Sequence, residues 1–255
     1  MNFEKFNLFS LPLLFISILF LYKTAHSQNA YEIVSKSQEL LYANSTYTEI
    51  LMEIIKPNWK RKYGMKIWAL EPDYALIYIT EPAKDKGTVT LKRKNEVWNF
   101  LPSIQKIIKI PPSMMNQSWM GSDFTNDDLV RSSSYKDDYY HKLIGYENFN
   151  NYLCYKIESI PKPDVGIVWG KIISLISKTE YMPLKTEFYD EKGNLIKSFI
   201  GSEIKILDGR KIPTYWEMMS HDKPGNKTTL LYQKIKFNIK IDQSFFSQQN
   251  MTRIR

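Results

Sequence analysis

A single cysteine, Cys154, stands in a chain of 255 residues. That excludes an intramolecular disulfide and every cysteine-rich zinc module. Histidine is nearly as scarce, with three residues, which leaves little for metal or triad chemistry. Ten glycines and twelve prolines are too few for a collagen-like or low-complexity chain. The chain carries no glycine-rich phosphate loop, no G-x-S-x-G and no H-E-x-x-H. Long apolar runs are missing too, apart from one at the N-terminus.

What is present describes a folded protein. The chain is 43% hydrophobic and 24% charged, which excludes disorder as its main state. Aromatic residues reach 14%, with 17 Tyr and 6 Trp, and these favour strands. The net charge is +8, but the lysines form no dense tract. Nucleic acid is therefore not an expected partner. A basic surface suits anionic membranes or acidic proteins, and transient membrane contact is expected.

The chain opens MNFEKFNLFSLPLLFISILFLYKTAHSQNA. Lys5 precedes an uncharged, mostly apolar run from Phe6 to Tyr22, and Ala25-His26-Ser27 follows Lys23. This layout predicts a secretory signal over residues 1–27, cleaved near Ser27. The competing reading is an uncleaved anchor. The run is short for a bilayer core of about 30 Å, which takes about 20 residues, and that favours cleavage. No cysteine follows the run, so the mature end has no thiol to acylate. Residues 28–255 read as a single domain, because no stretch resembles a linker and no fixed repeat occurs.

Ala30, Ile33, Val34, Ser37 and Leu41 fall at helical spacing and predict an amphipathic helix over 29–43. Strand patterns follow at 47–56, 61–70, 74–80, 87–94, 96–101 and 105–110, with polar turns between them. Pro111-Pro112 stops this sheet portion. Patterns resume at 138–145, 151–160, 170–178, 184–189, 195–206, 211–220 and 227–238. Glu191 to Asn194 and Asp208-Gly209 read as hairpin turns. The tail from Ser244 reads as polar surface chain. A sheet of about ten strands must curve, close or split.

Between the two sheet portions lies SMMNQSWMGSDFTNDDLVRSS, residues 113–133. Thr125 is a candidate N-cap, with Asp127 and Asp128 in the first helical turn. Met114, Met115, Trp119, Met120 and Phe124 crowd this loop-like segment. Methionine suits surfaces that accept variable apolar ligands. A flap of such residues over a curved sheet encloses an apolar pocket; alternatively, the same residues plug the core.

Candidate catalytic groups are weak. His141 lies mid-strand and His221 stands beside Asp222 before a turn; neither carries a nucleophile signature. Cys154 reads as a buried, inert thiol. Asp123, Asp127 and Asp128 lack EF-hand spacing and read as a cap and dipole feature. The residues predict neither an enzyme nor a cofactor or metal site.

The run Trp119-Met120-Gly121-Ser122-Asp123-Phe124-Thr125-Asn126-Asp127-Asp128-Leu129 resembles the outer-membrane lipoprotein-sorting protein family of the LolA/LolB-like carrier superfamily. The surrounding order is similar as well. Arg61 to Trp68 resembles the family's early basic-then-aromatic strand. Gly87 to Leu91, with Val97 to Pro102, resembles its central hairpin. Asp208 to Pro213, Lys227 to Leu230 and Asp242 to Phe246 resemble later segments. The likeness covers nearly the whole mature chain.

The resemblance implies an α+β, mainly β fold: a strongly curved antiparallel half-barrel of about ten strands, capped by helices around an apolar interior. It implies a periplasmic carrier that holds acyl chains of lipoproteins or other lipids on the way to the outer membrane. An inner-membrane transporter or an outer-membrane acceptor is the implied partner, and an adaptor working with such a transporter is the alternative role. Trp68, Tyr78 and Trp98 are expected to line the concave side, under a flap of Met114, Met115, Trp119, Met120 and Phe124. Asp123 and Asp127 are expected to cap the flap helix.

Overall fold

Asn29 sets the start of the first helix. Its side chain accepts a hydrogen bond from the Tyr31 amide at 3.0 Å, and α1 runs from Ala30 to Leu41. The computed structural model describes residues 29–131, 134–163 and 165–254, so the signal-segment reading lies outside the described residues. Ala30, Ile33 and Val34 are buried and pack against Tyr155, Ile157 and Ile176. The predicted spacing therefore did place the apolar stripe, which docks α1 on the sheet.

Thirteen strands follow: β1 (Ser45–Lys56), β2 (Trp59–Leu70), β3 (Tyr74–Glu81), β4 (Val89–Arg93), β5 (Glu96–Leu101), β6 (Lys106–Lys109), β7 (Tyr139–Phe149), β8 (Tyr152–Pro161), β9 (Lys171–Ser177), β10 (Pro183–Tyr189), β11 (Leu195–Leu207), β12 (Arg210–Ser220) and β13 (Lys227–Phe237). Every segment with strand patterning pairs. With all of these segments in the ladder, the sheet exceeds the expected ten or so strands. The pairs are antiparallel, in the order β6-β5-β4-β3-β2-β1-β13-β12-β11-β10-β9-β8-β7. The first and last strands of the chain thus meet in the middle, and β6 and β7 form open edges.

Three short helices interrupt or follow the sheet: α2 (Asn126–Arg131), α3 (Tyr135–Asp138) and α4 (Gln248–Met251). No helix among the described residues is long and apolar enough to cross a membrane.

Each strand divides its side chains between two faces. On one face Ile50, Met52, Ile54, Met65, Ile77 and Ile79 pack with Trp119. On the other, Leu76, Tyr78, Leu91, Trp98 and Phe100 pack with Phe246 and Met251. This corrects the reading of the tail. Phe246 and Met251 are each only 1% exposed, and the segment covers the outer face of β2 to β5. Burying such a side chain stabilises by about 1.5–3 kcal/mol. Phe245, Phe246, Met251 and Ile254, spaced among polar residues, dock a segment whose composition looked solvated.

Candidate ligand cavity

The flap segment forms because its polar residues tie it down. Thr125 caps α2: its Oγ1 accepts from the Asp128 amide at 3.1 Å, and Asp128 Oδ2 accepts from the Thr125 amide at 2.7 Å. That reciprocal pair satisfies two helix-end donors. Asp123 acts differently from expectation. Its carboxylate is buried and accepts from Lys56 Nζ at 2.7 Å, Ser220 Oγ at 2.9 Å and Thr228 Oγ1 at 2.7 Å. Asp123 is thus a rivet from the flap to β1, β12 and β13, and Asp128 is the acid that serves the cap. Lys197 Nζ approaches Asp128 at 3.6 Å and adds a tie to β11.

Under the flap lies an apolar cavity of about 420 Å³. That is within the range of small-molecule sites, about 300–1,000 Å³. Ile50, Met65, Ile67 and Ile77 supply one wall and Ile172, Ile176 and Met218 the other. Phe124 meets Phe199 edge-on at 5.7 Å, and Phe199 stacks on Trp216 at 4.7 Å. These three rings line the cavity together. Trp119 closes the flap end, with its Nε1 donating to Thr90 Oγ1 at 3.2 Å.

Several polar groups in the lining are engaged by the protein itself. Thr90 Oγ1 also donates to Asn99 Oδ1 at 2.7 Å. Tyr135 Oη pairs with Ser159 Oγ at 2.6 Å and Ser174 Oγ at 3.3 Å. Lys92 Nζ donates to the Pro72 carbonyl at 2.8 Å. Burial lowers the Lys92 pKa, against the opposing pull of Glu71 and Asp73. A second, polar cavity of about 500 Å³ adjoins the first, and Phe124 and Trp169 line both. Lys56, Lys197, Lys223, Asp127 and Asp222 border it.

Of the residues singled out in the sequence, Trp119 and Phe124 line the apolar cavity. Met120 packs against the core cluster around Trp119. Met114 is exposed and Met115 half-buried. Their carbonyls, rather than their thioethers, hold the flap: Met114 O accepts from Asn126 Nδ2 at 3.1 Å and Met115 O from the Asp127 amide at 2.8 Å. Trp68, Tyr78 and Trp98 stand on the opposite face, against the C-terminal segment. A shift of one residue in a strand exchanges its faces, and the neighbours Ile67, Ile77 and Val97 are the ones lining the cavity.

Sequence reasoning missed the second wall: Phe199, Trp216, Met218 and Tyr232. The alternation of β11 and β12 marks the spacing of the first three. Tyr232 follows Leu230 at the same spacing on β13, and Ile235 is the residue that had no such signal. The β1–β13 register slips between Glu49 and Ile50, where Ile50 faces Tyr232 and Glu49 faces Lys234. The bulge lets both Tyr232 and Ile235 line the cavity, three positions apart.

Two serine–histidine contacts occur: His141 Nδ1 with Ser159 Oγ at 2.8 Å, and His221 Nε2 with Ser198 Oγ at 3.0 Å. Ser159 is fully buried and Ser198 is 2% exposed, so neither hydroxyl is placed to attack a substrate. Cys154 is fully buried, and burial raises its pKa, as an inert thiol requires. Among the described residues no group of three or more His, Cys, Asp or Glu could hold a metal ion.

Solved structures of LolA-type proteins share this open antiparallel fold. A LolA superfamily protein from Nitrosomonas europaea superposes with a TM-score of 0.74 at 22% identity, over 87% of this chain and 99% of its own. A domain from Vibrio parahaemolyticus assigned to outer membrane lipoprotein sorting gives 0.77 at 24%, over 88% and 98%. A DUF1329 family protein from Desulfovibrio piger gives 0.79 at 22%, over 87% and 97%. No curated protein sequence matches this chain. A family model described as "Uncharacterized protein" matches residues 71–253, and the chain belongs to that family.

Proposed function

We propose that this protein is a periplasmic carrier that shelters acyl chains of lipoproteins or other lipids and moves them toward the outer membrane. The observation that carries the reading is the apolar cavity beneath a riveted flap. A strongly curved half-barrel accounts for that cavity. Thr90 on β4 and Ile176 on β9 line the same space, yet these strands stand eight places apart in the sheet. Laid flat, that distance would be about 38 Å, too far for one cavity of about 420 Å³.

The energetics suit reversible shelter. Each buried methylene contributes about 0.8 kcal/mol, and association costs at least about 4 kcal/mol in lost freedom. An acyl chain of ten or so methylenes therefore binds, yet it can leave for a bilayer that solvates it equally well. No bond is made or broken, so the scarcity of bases and nucleophiles is no obstacle. The implied partners are an inner-membrane donor and an outer-membrane acceptor, with basic residues aiding encounter.

A transfer assay tests the carrier role. Protein loaded with a fluorescent acyl lipid is mixed with acceptor vesicles. Transfer much faster than spontaneous exchange is expected. A complex that keeps its lipid in the presence of acceptor would contradict a carrier and favour an adaptor.

A further inference from the structure

Tyr232 is the unusual group in the cavity. Its ring packs among Ile50, Met65 and Leu230 in the apolar wall. Its hydroxyl has no hydrogen-bond partner among the described residues; the smaller Thr46, Thr48 and Thr186 hydroxyls of the lining share that state, while Thr90, Tyr135, Ser174 and Lys92 are bonded. The residue is half-buried, and it lines the cavity. Burial alone pushes its pKa up to about 12, so the group stays neutral and keeps its proton to donate.

An unsatisfied hydroxyl in an apolar wall costs stability, about 1–3 kcal/mol when fully dry. Phenylalanine would fill the same space without that cost. Tyr232 follows Leu230 at the two-residue spacing of a strand, so both face the cavity.

We propose that the Tyr232 hydroxyl is a polar anchor of the cavity, donating a hydrogen bond to the carbonyl oxygen of a bound fatty acyl group. The inference rests on the carrier reading and deepens it, because it fixes which part of the ligand lies beside β13. Apolar walls alone would let an acyl chain slide along its length. A donor beside β13 gives it a register there, and it distinguishes an acyl group from a plain hydrocarbon. The carbonyl could belong to an ester, as in a glycerolipid, or to an amide, as on an acylated amino terminus.

The test compares the full protein with its Tyr232→Phe variant. Three probes of equal chain length are used: a fatty acid methyl ester, the matching N-methyl amide and the matching alkane. The variant should lose about three- to ten-fold in affinity for a carbonyl probe, the range of one neutral hydrogen bond. Its affinity for the alkane should not change, and its melting temperature should be equal or higher. Loss confined to the ester or to the amide supports the anchor and identifies the linkage. Unchanged affinity for both carbonyl probes overturns the anchor but leaves the carrier reading intact. Equal loss for all three probes, alkane included, also overturns it, because the hydroxyl would then be shaping the wall rather than bonding a carbonyl. Failure of the wild-type protein to bind any probe overturns the carrier reading, and the anchor falls with it.

Discussion

Lys56 Nζ lies 2.7 Å from Asp123 Oδ1, with the lysine side chain 13% and the aspartate side chain 3% exposed. The pair joins β1 to the centre of the flap, and Ser220 and Thr228 complete the carboxylate's bonding. The flap thus covers the cavity as a segment pinned in its middle.

Removing one partner should expose the dependence. Asp123→Ala leaves a buried ammonium without its counter-ion, and should destabilise by about 3 kcal/mol or more. The double variant Lys56→Met with Asp123→Ala should recover much of that loss. Urea denaturation midpoints check both. An Asp123→Ala midpoint equal to wild type would show that the rivet is dispensable.

The two faces of the sheet should separate stability from binding. Ile67→Trp places bulk in the cavity and should lower acyl-probe uptake at least ten-fold while the protein stays folded. Trp98→Ala on the other face should cost about 3–5 kcal/mol, since it empties the site under Phe246. The folded fraction should still bind the probe normally. Reduced uptake by folded Trp98→Ala and normal uptake by Ile67→Trp would reverse the assignment of faces.

Gly201 marks a close approach behind the aromatic wall. A Cβ there would lie 2.8 Å from Pro213 Cβ and 2.9 Å from Trp216 Cζ3. Gly201→Ala should push Trp216 toward the cavity and destabilise by about 1–3 kcal/mol. Thermal melting and tryptophan fluorescence report the two effects; an unperturbed melt would contradict the packing described for β11 and β12.

Acidity should weaken the fold through His141. Burial is the main cause of its lowered pKa, helped by Lys162 and opposed by the Lys136 carbonyl and Asp137. The unfolded chain therefore takes up a proton near the ordinary value of 6.5, before the folded protein does. Stability should be full above that value and fall as the pH drops toward the folded pKa. Urea midpoints at about pH 7.5 and about pH 5.5 measure it, and His141→Asn should flatten the difference. A midpoint that rises on acidification would contradict the sign.

Much of the fold was legible because β-patterning is local. The alternation in 47–56 or 211–220 marks a strand whatever it pairs with, and the turn at Asp208-Gly209 is set by backbone preference. The Thr125 cap was equally local. The choice of face was not. Trp68 and Ile67 are both large and apolar, and only the assembled sheet decides which meets the flap. Long-range partners were likewise hidden: nothing near Asp123 in the chain announces Lys56, 67 positions earlier. The bulge beside Tyr232 depends on a register between β1 and β13, the first and last strands in the chain, which meet in the middle of the sheet.

Native mass spectrometry of the protein purified from its native cells, followed by organic extraction, tests the central claim most directly. The account predicts a co-purifying mass that partitions into solvent as an acylated species, carried by a cavity of about 420 Å³. An empty protein that also takes up no fatty-acyl probe would contradict it.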